Sequence, residues 1–222
     1  MPPGSEGKGT VSQRTHWDST FAENAEMYGS APSEAGVVAA MMFASNGARR
    51  VLELGAGQGR DSFYLSGEGF DVIALDFADA ALRALADKRR SSPTGGSLAV
   101  VGHDARDPLP LAAGSIDACF SHMLFCMALS TEALERLCRE LQRVIRPGGL
   151  VTYTVRHTGD AHFGAGHPRG DGMFENGGFV VHFFDRALVD RLAAGFHLRE
   201  VVEFTEGGLP RRLWRVTMHV PD

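Results

Sequence analysis

Residues 50–59, Arg50-Val51-Leu52-Glu53-Leu54-Gly55-Ala56-Gly57-Gln58-Gly59, decide the architecture. A short apolar run interrupted by glycine at every second position predicts a buried strand that turns tightly into a helix. Outward from it, Asp71-Val72-Ile73-Ala74-Leu75 is a second apolar run, stopped by Asp76, and residues 59–67 leave room for a helix of about two turns between them. Ala78, Ala81, Leu82 and Leu85 form another helical stripe, which ends before the loop Ser91-Ser92-Pro93-Thr94-Gly95-Gly96. Residues 98–101 and 116–121 supply a third and a fourth strand. Ser130 is a good N-cap for a helix that keeps Leu134, Leu137, Cys138, Leu141, Val144 and Ile145 on one face, until Arg146-Pro147-Gly148-Gly149 ends it. A fifth strand at 150–155, a helix near 185–194, and two more strands at 198–204 and 212–220 complete the series. Strands alternating with helices predict an α/β fold with a doubly wound, mostly parallel seven-stranded sheet. The two closing strands have no helix between them and predict an antiparallel C-terminal hairpin.

The 222 residues carry 22 Lys+Arg against 27 Asp+Glu, a net charge of -5, with no block of basic residues of the kind that tracks phosphates. That argues against a nucleic-acid partner. No apolar run approaches the roughly 20 residues that span a bilayer, and the first residues lack the apolar core of a signal peptide, so no membrane is expected and a cytoplasmic setting is. Cys119, Cys126 and Cys138 form no CxxC pair and sit among apolar neighbours, which suits reduced, buried thiols. Residues 1–13, rich in Gly, Ser and Pro, are expected to be a disordered tail, and residues 14–222 a single domain. Trp17, Phe21 and Tyr28 recur at spacings of one helical face, predicting a short helix from His16 to Tyr28.

In a doubly wound sheet a ligand lies outside the carboxyl ends of the strands, at the switch point where the first strand meets its helix. Gly55 and Gly57 let a ligand lie against bare backbone there. The turn departs from the dinucleotide fingerprint, with Arg60 where a third glycine falls. Glu53 beside a pyrophosphate would repel it; beside an ammonium and a sulfonium it would attract. Asp76 ends the second strand, where a carboxylate can accept both ribose hydroxyls, and Asp104 follows the third.

The ordered series VLELGAGQGRDSFYL, VIALDF, GHDARDPLP, IDACFSHMLF and a helix ending in RPGG, over about residues 49–155, resembles the class I S-adenosylmethionine-dependent methyltransferases. Within them, Trp17 and the stretch from Gly59 to Phe77 look like the small-molecule tellurite-resistance and thiopurine methyltransferase group. The resemblance implies a Rossmann-like methyltransferase fold with S-adenosylmethionine as cofactor. It implies that Gly55, Ala56 and Gly57 pass under the cofactor's methionine part and that Glu53 is directed toward its amino group. Asp76 would take the ribose hydroxyls, Phe77 would lie against the adenine, and Asp104 with the Ala105 amide would read the ring. Ser121, His122 and Met123 would form the floor for methyl transfer. The motif that amino-methylating nucleic-acid enzymes carry after the fourth strand is replaced by Ser121-His122-Met123-Leu124.

On the acceptor side, residues 156–182 form a long Gly-rich connection bearing Arg156, His157, His162, His167 and His182. Long loops in compact domains are commonly lids, and this one reads either as a polar lid over the acceptor or as plain surface histidines. The histidine spacings match no zinc pattern, so no metal is expected. His122, His167 and His182 are the candidates for removing an acceptor proton. Trp17 and Tyr28 read as a second cover or as simple packing, and Met123 and Phe125 as an apolar acceptor wall or a buried strand end. Together these expectations describe methyl transfer to a small-molecule acceptor through O, N or S. A nicotinamide-dependent oxidoreductase and a noncatalytic S-adenosylmethionine-binding module are the alternatives, and the oligomeric state is left open.

Overall fold

Strands β1 (Arg50–Leu54), β2 (Asp71–Asp76), β3 (Leu98–Gly102), β4 (Ile116–His122) and β5 (Ile145–Arg156) run parallel, and β9 (His197–Glu206) and β10 (Arg211–His219) close the sheet as an antiparallel hairpin against β5. The order is β3-β2-β1-β4-β5-β10-β9, so the predicted seven-stranded, mostly parallel sheet with its C-terminal hairpin is what the chain forms. This computed structural model describes residues 6–91, 95–207 and 211–222, with side chains from Gln13 onward.

The strands are apolar on both faces because helices cover both. On one face, Leu52, Leu54, Cys119, Val151 and Tyr153 pack with α5 (Thr131–Val144) and α6 (Arg186–Leu192). On the other, Val51, Val72, Ala118 and Phe120 pack with α2 (Glu34–Ser45), α3 (Arg60–Gly67) and α4 (Asp79–Ser91). Helix α5 follows the predicted pattern up to Val144, and Ile145, expected as its last apolar residue, is extended and already begins β5. Ser130 caps the helix by accepting from the Ala133 amide at 3.2 Å, and Leu134, Leu137, Cys138, Leu141 and Val144 are buried. Each such apolar side chain contributes about 1.5–3 kcal/mol on burial, so Leu137→Ala would loosen this face by about 2–5 kcal/mol. All three cysteines are free and buried, as their apolar neighbours predict.

Three elements differ from the expectations. Helix α2 was not anticipated. Helix α1 runs Glu6–Glu23, so Trp17 and Phe21 lie on it while Tyr28 falls beyond its end. Its last carbonyls are taken by a side chain of the glycine loop: Gln58 Nε2 donates to Asn24 O at 2.8 Å and to Phe21 O at 3.4 Å. Of the tail expected over 1–13, residues 1–5 lie outside the described residues, and α1 is drawn from Glu6. Thirdly, the long connection after β5 is not a plain loop. It folds into a three-stranded antiparallel meander, β6 (His167–Gly170), β7 (Met173–Asn176) and β8 (Phe179–His182).

The meander is anchored at both ends. The His182 amide donates to Cys126 O at 2.9 Å, and the Asp171 carboxylate accepts from the Thr131 hydroxyl at 2.7 Å, tying it to the segment after β4. At its other side Phe179 meets Trp17 and His16 of α1, with ring centroids 5.2 and 4.4 Å apart. Helix α1 and the meander thereby meet above the carboxyl ends of the strands.

Candidate active site

The sheet order reverses at β1, between β2 and β4, and the crevice there is the site a doubly wound fold offers a ligand. Gly55, Gly57 and Gly59 adopt φ of 73°, 53° and 84° in the turn from β1 to α3. A Cβ on Gly55 would stand 2.8 Å from Leu124 Cβ, so the first glycine is required by space as well as by conformation. Leu54, Gly55, Leu75, Asp76, Phe77, His103, Ala105 and Leu124 line a narrow cleft. A wider surface groove lined by Arg83, Arg89 and Arg90 lies between α4 and β3 at the edge of the sheet, away from the glycine turn.

Asp76 is 8% exposed at the end of β2. Its Oδ2 accepts from the Gly57 amide at 2.7 Å and its Oδ1 from the Ala78 amide at 2.9 Å. Burial raises its pKa, and hydrogen bonds from the Ala78, Gly57 and Phe77 amides work against the rise. A carboxylate offers about four acceptor positions, so the backbone amides do not exhaust it. Phe77 and Ala105 stand beside it in the same cleft. Helix α1 covers this region: the Arg14 guanidinium lies 5.6 Å above the Phe77 ring, and Phe21 lies within 3.4 Å of where a Gly57 Cβ would stand.

Other residues expected at the cofactor lie differently. Glu53 is 3% exposed, accepts from the Ser62 hydroxyl, and is not among the residues lining the cleft. Burial, with the buried Asp61 nearby, pushes its carboxyl well above the ordinary range. Asp104 is closed into a local pair with Arg106, whose Nε donates to it at 2.8 Å, and this holds its pKa down. Ser121 is fully buried and turns its hydroxyl to Leu54 O at 3.1 Å. Ala56 is buried behind the turn, its amide bonded to Leu75 O at 3.0 Å.

On the acceptor side, His122 and Met123 are joined to partners that sequence reasoning missed. Thr154 Oγ1 lies 3.0 Å from the Met123 amide and 3.0 Å from His122 Nδ1, and Glu206 Oε2 lies 3.1 Å from His122 Nε2. An amide can only donate, so the Thr154 oxygen accepts from Met123. The Glu206 carboxylate can only accept, so His122 carries a hydrogen on Nε2 that points at it. Both ring nitrogens are engaged, and no lone pair of His122 faces the cleft. Met123 itself sits at φ 67°, a conformation rare for a non-glycine residue.

Glu206 also accepts from Arg60 NH2 at 3.2 Å, and Arg60 donates to the Tyr28 carbonyl at 3.3 Å beneath its ring. Against burial, the hydrogen bond from His122 and the Arg60 guanidinium bring the Glu206 carboxyl down to about 2. Tyr28, 41% exposed, therefore stands at this end of the crevice although it lies off α1. Trp17 stacks on Phe21 at 5.4 Å.

The remaining expected site residues are drawn elsewhere. Phe125 is fully buried and stacked on Tyr153 at 4.4 Å, part of the core instead of a wall. Arg156 is buried against Asp160, with Nε to Oδ2 at 3.2 Å, and under Phe183. His182 is 2% exposed and bonded through Nδ1 to Leu129 O at 2.8 Å, a structural anchor of the meander. His167 is exposed on β6. Burial raises the Cys126 thiol to about 11, which leaves no thiolate for nucleophilic work. Among the described residues, no three His, Cys, Asp or Glu side chains gather where they could hold a metal ion.

Residues 51–149 match the family model described as a methyltransferase domain. Malonyl-[acyl-carrier protein] O-methyltransferase of Methylococcus capsulatus is 38% identical over 108 residues, covering 48% of this chain and 37% of that protein. Demethylmenaquinone methyltransferase of Beutenbergia cavernae is 40% identical over 102 residues, covering 46% of this chain and 38% of that protein. The chain thus spans well under half the length of these curated relatives. Its fold is also that of the Burkholderia thailandensis 1,6-didemethyltoxoflavin-N1-methyltransferase, solved with 1,6-didemethyltoxoflavin and S-adenosylhomocysteine bound, with a TM-score of 0.75 at 17% identity over 100% of this chain and 93% of that one. The glycine turn and the Asp76 cleft both lie within residues 51–149, the stretch that matches a methyltransferase domain.

Proposed function

We propose that this chain transfers the methyl group of S-adenosylmethionine to a small-molecule acceptor. The observation that carries the reading is Asp76, a buried carboxylate at the switch point whose backbone partners leave it able to accept further, in a cleft shared with Gly55, Phe77 and Ala105. A cis-diol is the ligand group that matches two adjacent acceptors. Phe77 and Ala105 line an apolar slot for the adenine, and the Gly55–Gly57 turn beside it would take the methionine part. Glu53, buried behind the turn, would be stabilised in its ionised form by a ligand bringing an ammonium and a sulfonium nearby. When bound, S-adenosylmethionine supplies an activated methyl group.

The chain's own part is to position the acceptor and exclude water. Helix α1 with Trp17, Phe21 and Arg14 covers the cofactor side, and Met123, Tyr28 and the Thr154–His122–Glu206–Arg60 chain form the acceptor end. The names of the relatives differ in acceptor, so they do not choose among O, N and S. The charge of -5 and the missing amino-methylation motif favour a small molecule over nucleic acid, and the unpaired buried thiols favour a cytoplasmic setting. Among the described residues no helix is long and apolar enough to cross a membrane.

The test is incubation with methyl-labelled S-adenosylmethionine and a panel of small acids, amines, phenols and thiols. Label in an extractable product supports the reading. Tight cofactor binding without transfer to any of them leaves the noncatalytic module, and binding of NAD in its place leaves the oxidoreductase.

A further inference from the structure

We propose that the acceptor carries a carboxylate, seated on His122 Nε2–H and the Arg60 guanidinium, the two donors that hold the Glu206 carboxylate in this structure. The proposal rests on the methyltransferase reading and narrows its substrate class. Three observations support it. First, the Glu206 carboxylate can only accept, so His122 faces it as a donor at Nε2, while Nδ1 is taken up with Thr154. A protic acceptor that must lose its proton finds no lone pair there, and an ammonium would face two donors. The group that fits accepts hydrogen bonds from both.

Secondly, Arg60 is held independently of Glu206. It donates to the Tyr28 carbonyl at 3.3 Å, lies 5.6 Å from the Tyr28 ring centroid, and approaches Asp61 at 3.7 Å. The guanidinium therefore stays in place whichever carboxylate it holds, and such fixed donors bind without reorganisation. Thirdly, Glu206 is the last residue of β9, with its side chain 25% exposed, against 12% for His122 and 19% for Arg60. The two donors belong to the interior and the carboxylate to a strand end from which it can swing to solvent. Glu206 is thus a resident occupant of an oxyanion cradle beside the methyl-transfer floor, and an acceptor carboxylate takes its place.

The experiment is calorimetric titration of benzoate, and of benzamide as its neutral counterpart, into the wild-type protein, Glu206→Gln, Glu206→Ala and Glu206→Gln/Arg60→Gln, each with and without S-adenosylhomocysteine. Removing an internal competitor raises the apparent affinity by the inverse of the vacant fraction, so both Glu206 variants should bind benzoate about fivefold or more tighter than wild type. Benzamide should show no such gain, and the double variant should lose it. Equal benzoate affinity in wild type and both folded single variants, or an equal gain for benzamide, overturns the proposal. So do imidazole 15N shifts that place the His122 hydrogen on Nδ1. Failure of S-adenosylhomocysteine to bind the wild type tells instead against the methyltransferase reading, and the titrations without it still report on the cradle.

Discussion

Replacing Asp76 with Asn tests the cofactor cleft while preserving its shape. The carboxylate accepts from the Gly57 and Ala78 amides at 2.7 and 2.9 Å and retains capacity to accept from a ligand. Asn has one acceptor oxygen and one amide donor, so in either orientation a backbone N–H meets an NH2 and one ribose hydroxyl loses its acceptor. A hydrogen bond to a charged group is worth about 1.5–3 kcal/mol, which converts to roughly a tenfold to a hundredfold weaker Kd for S-adenosylhomocysteine. The orphaned amide costs about 1–3 kcal/mol of stability, partly offset because burial already disfavours the ionised Asp76. At about 2–4 °C per kcal/mol for a domain this size, the melting temperature should fall by only a few degrees. Calorimetry on protein shown to be folded by its thermal transition reads both quantities. An affinity for S-adenosylhomocysteine within twofold of wild type would remove Asp76 from the site and the reasoning with it.

Glu53→Gln should stabilise the protein, and more so at alkaline than at mildly acidic pH. The folded-state pKa lies well above 4.5, so the native state binds the extra proton and wild-type stability is lost as pH rises through that value; thermal transitions that fail to diverge with pH would refute this. Asp160→Asn should cost about 3 kcal/mol, because the buried Asp160 accepts from Arg156, from the His162 amide at 2.8 Å and from the Arg212 amide at 2.8 Å; an unchanged denaturant midpoint would contradict it. In native protein none of the three thiols should react promptly with a disulfide reagent, and all three should once it is unfolded. His182→Ala should lower stability through the lost bond to Leu129 O, whereas His167→Ala, on an exposed strand, should leave stability and cofactor affinity unchanged.

The strands around the switch point were readable because each is a compact apolar run ended by glycine or aspartate, as at Leu54-Gly55 and Leu75-Asp76. Helix α2 was not, for its sequence EAGVVAAMMFAS is apolar on nearly every side and shows no stripe. A local signal did exist: Ser33 caps it by accepting from the Gly36 amide at 2.9 Å. The meander was hidden by strands of four residues, yet Asn176-Gly177-Gly178-Phe179 is a two-residue hairpin signal, with both glycines at positive φ and Asn176 paired to Phe179. Asp76 and Gly55 were legible because a strand end at the switch point places them at one cleft, whereas Phe77 and Ala105, which line it too, came only with the family resemblance. Glu206 was not, since its meeting with His122, 84 residues away, depends on how the C-terminal hairpin sits beside β5. Phe125 and His182 failed as wall and base for a related reason: whether a residue after a strand faces the crevice or the core is set by packing that no local pattern encodes.

Calorimetric titration of the wild-type protein with S-adenosylhomocysteine and, separately, with NAD tests the central claim most directly. The account predicts one-site binding of S-adenosylhomocysteine and none of comparable strength for NAD, because the Asp76 carboxylate beside the glycine turn can accept from a ribose diol and would repel a pyrophosphate. Tighter binding of NAD, or no binding of S-adenosylhomocysteine to the folded protein, would contradict it.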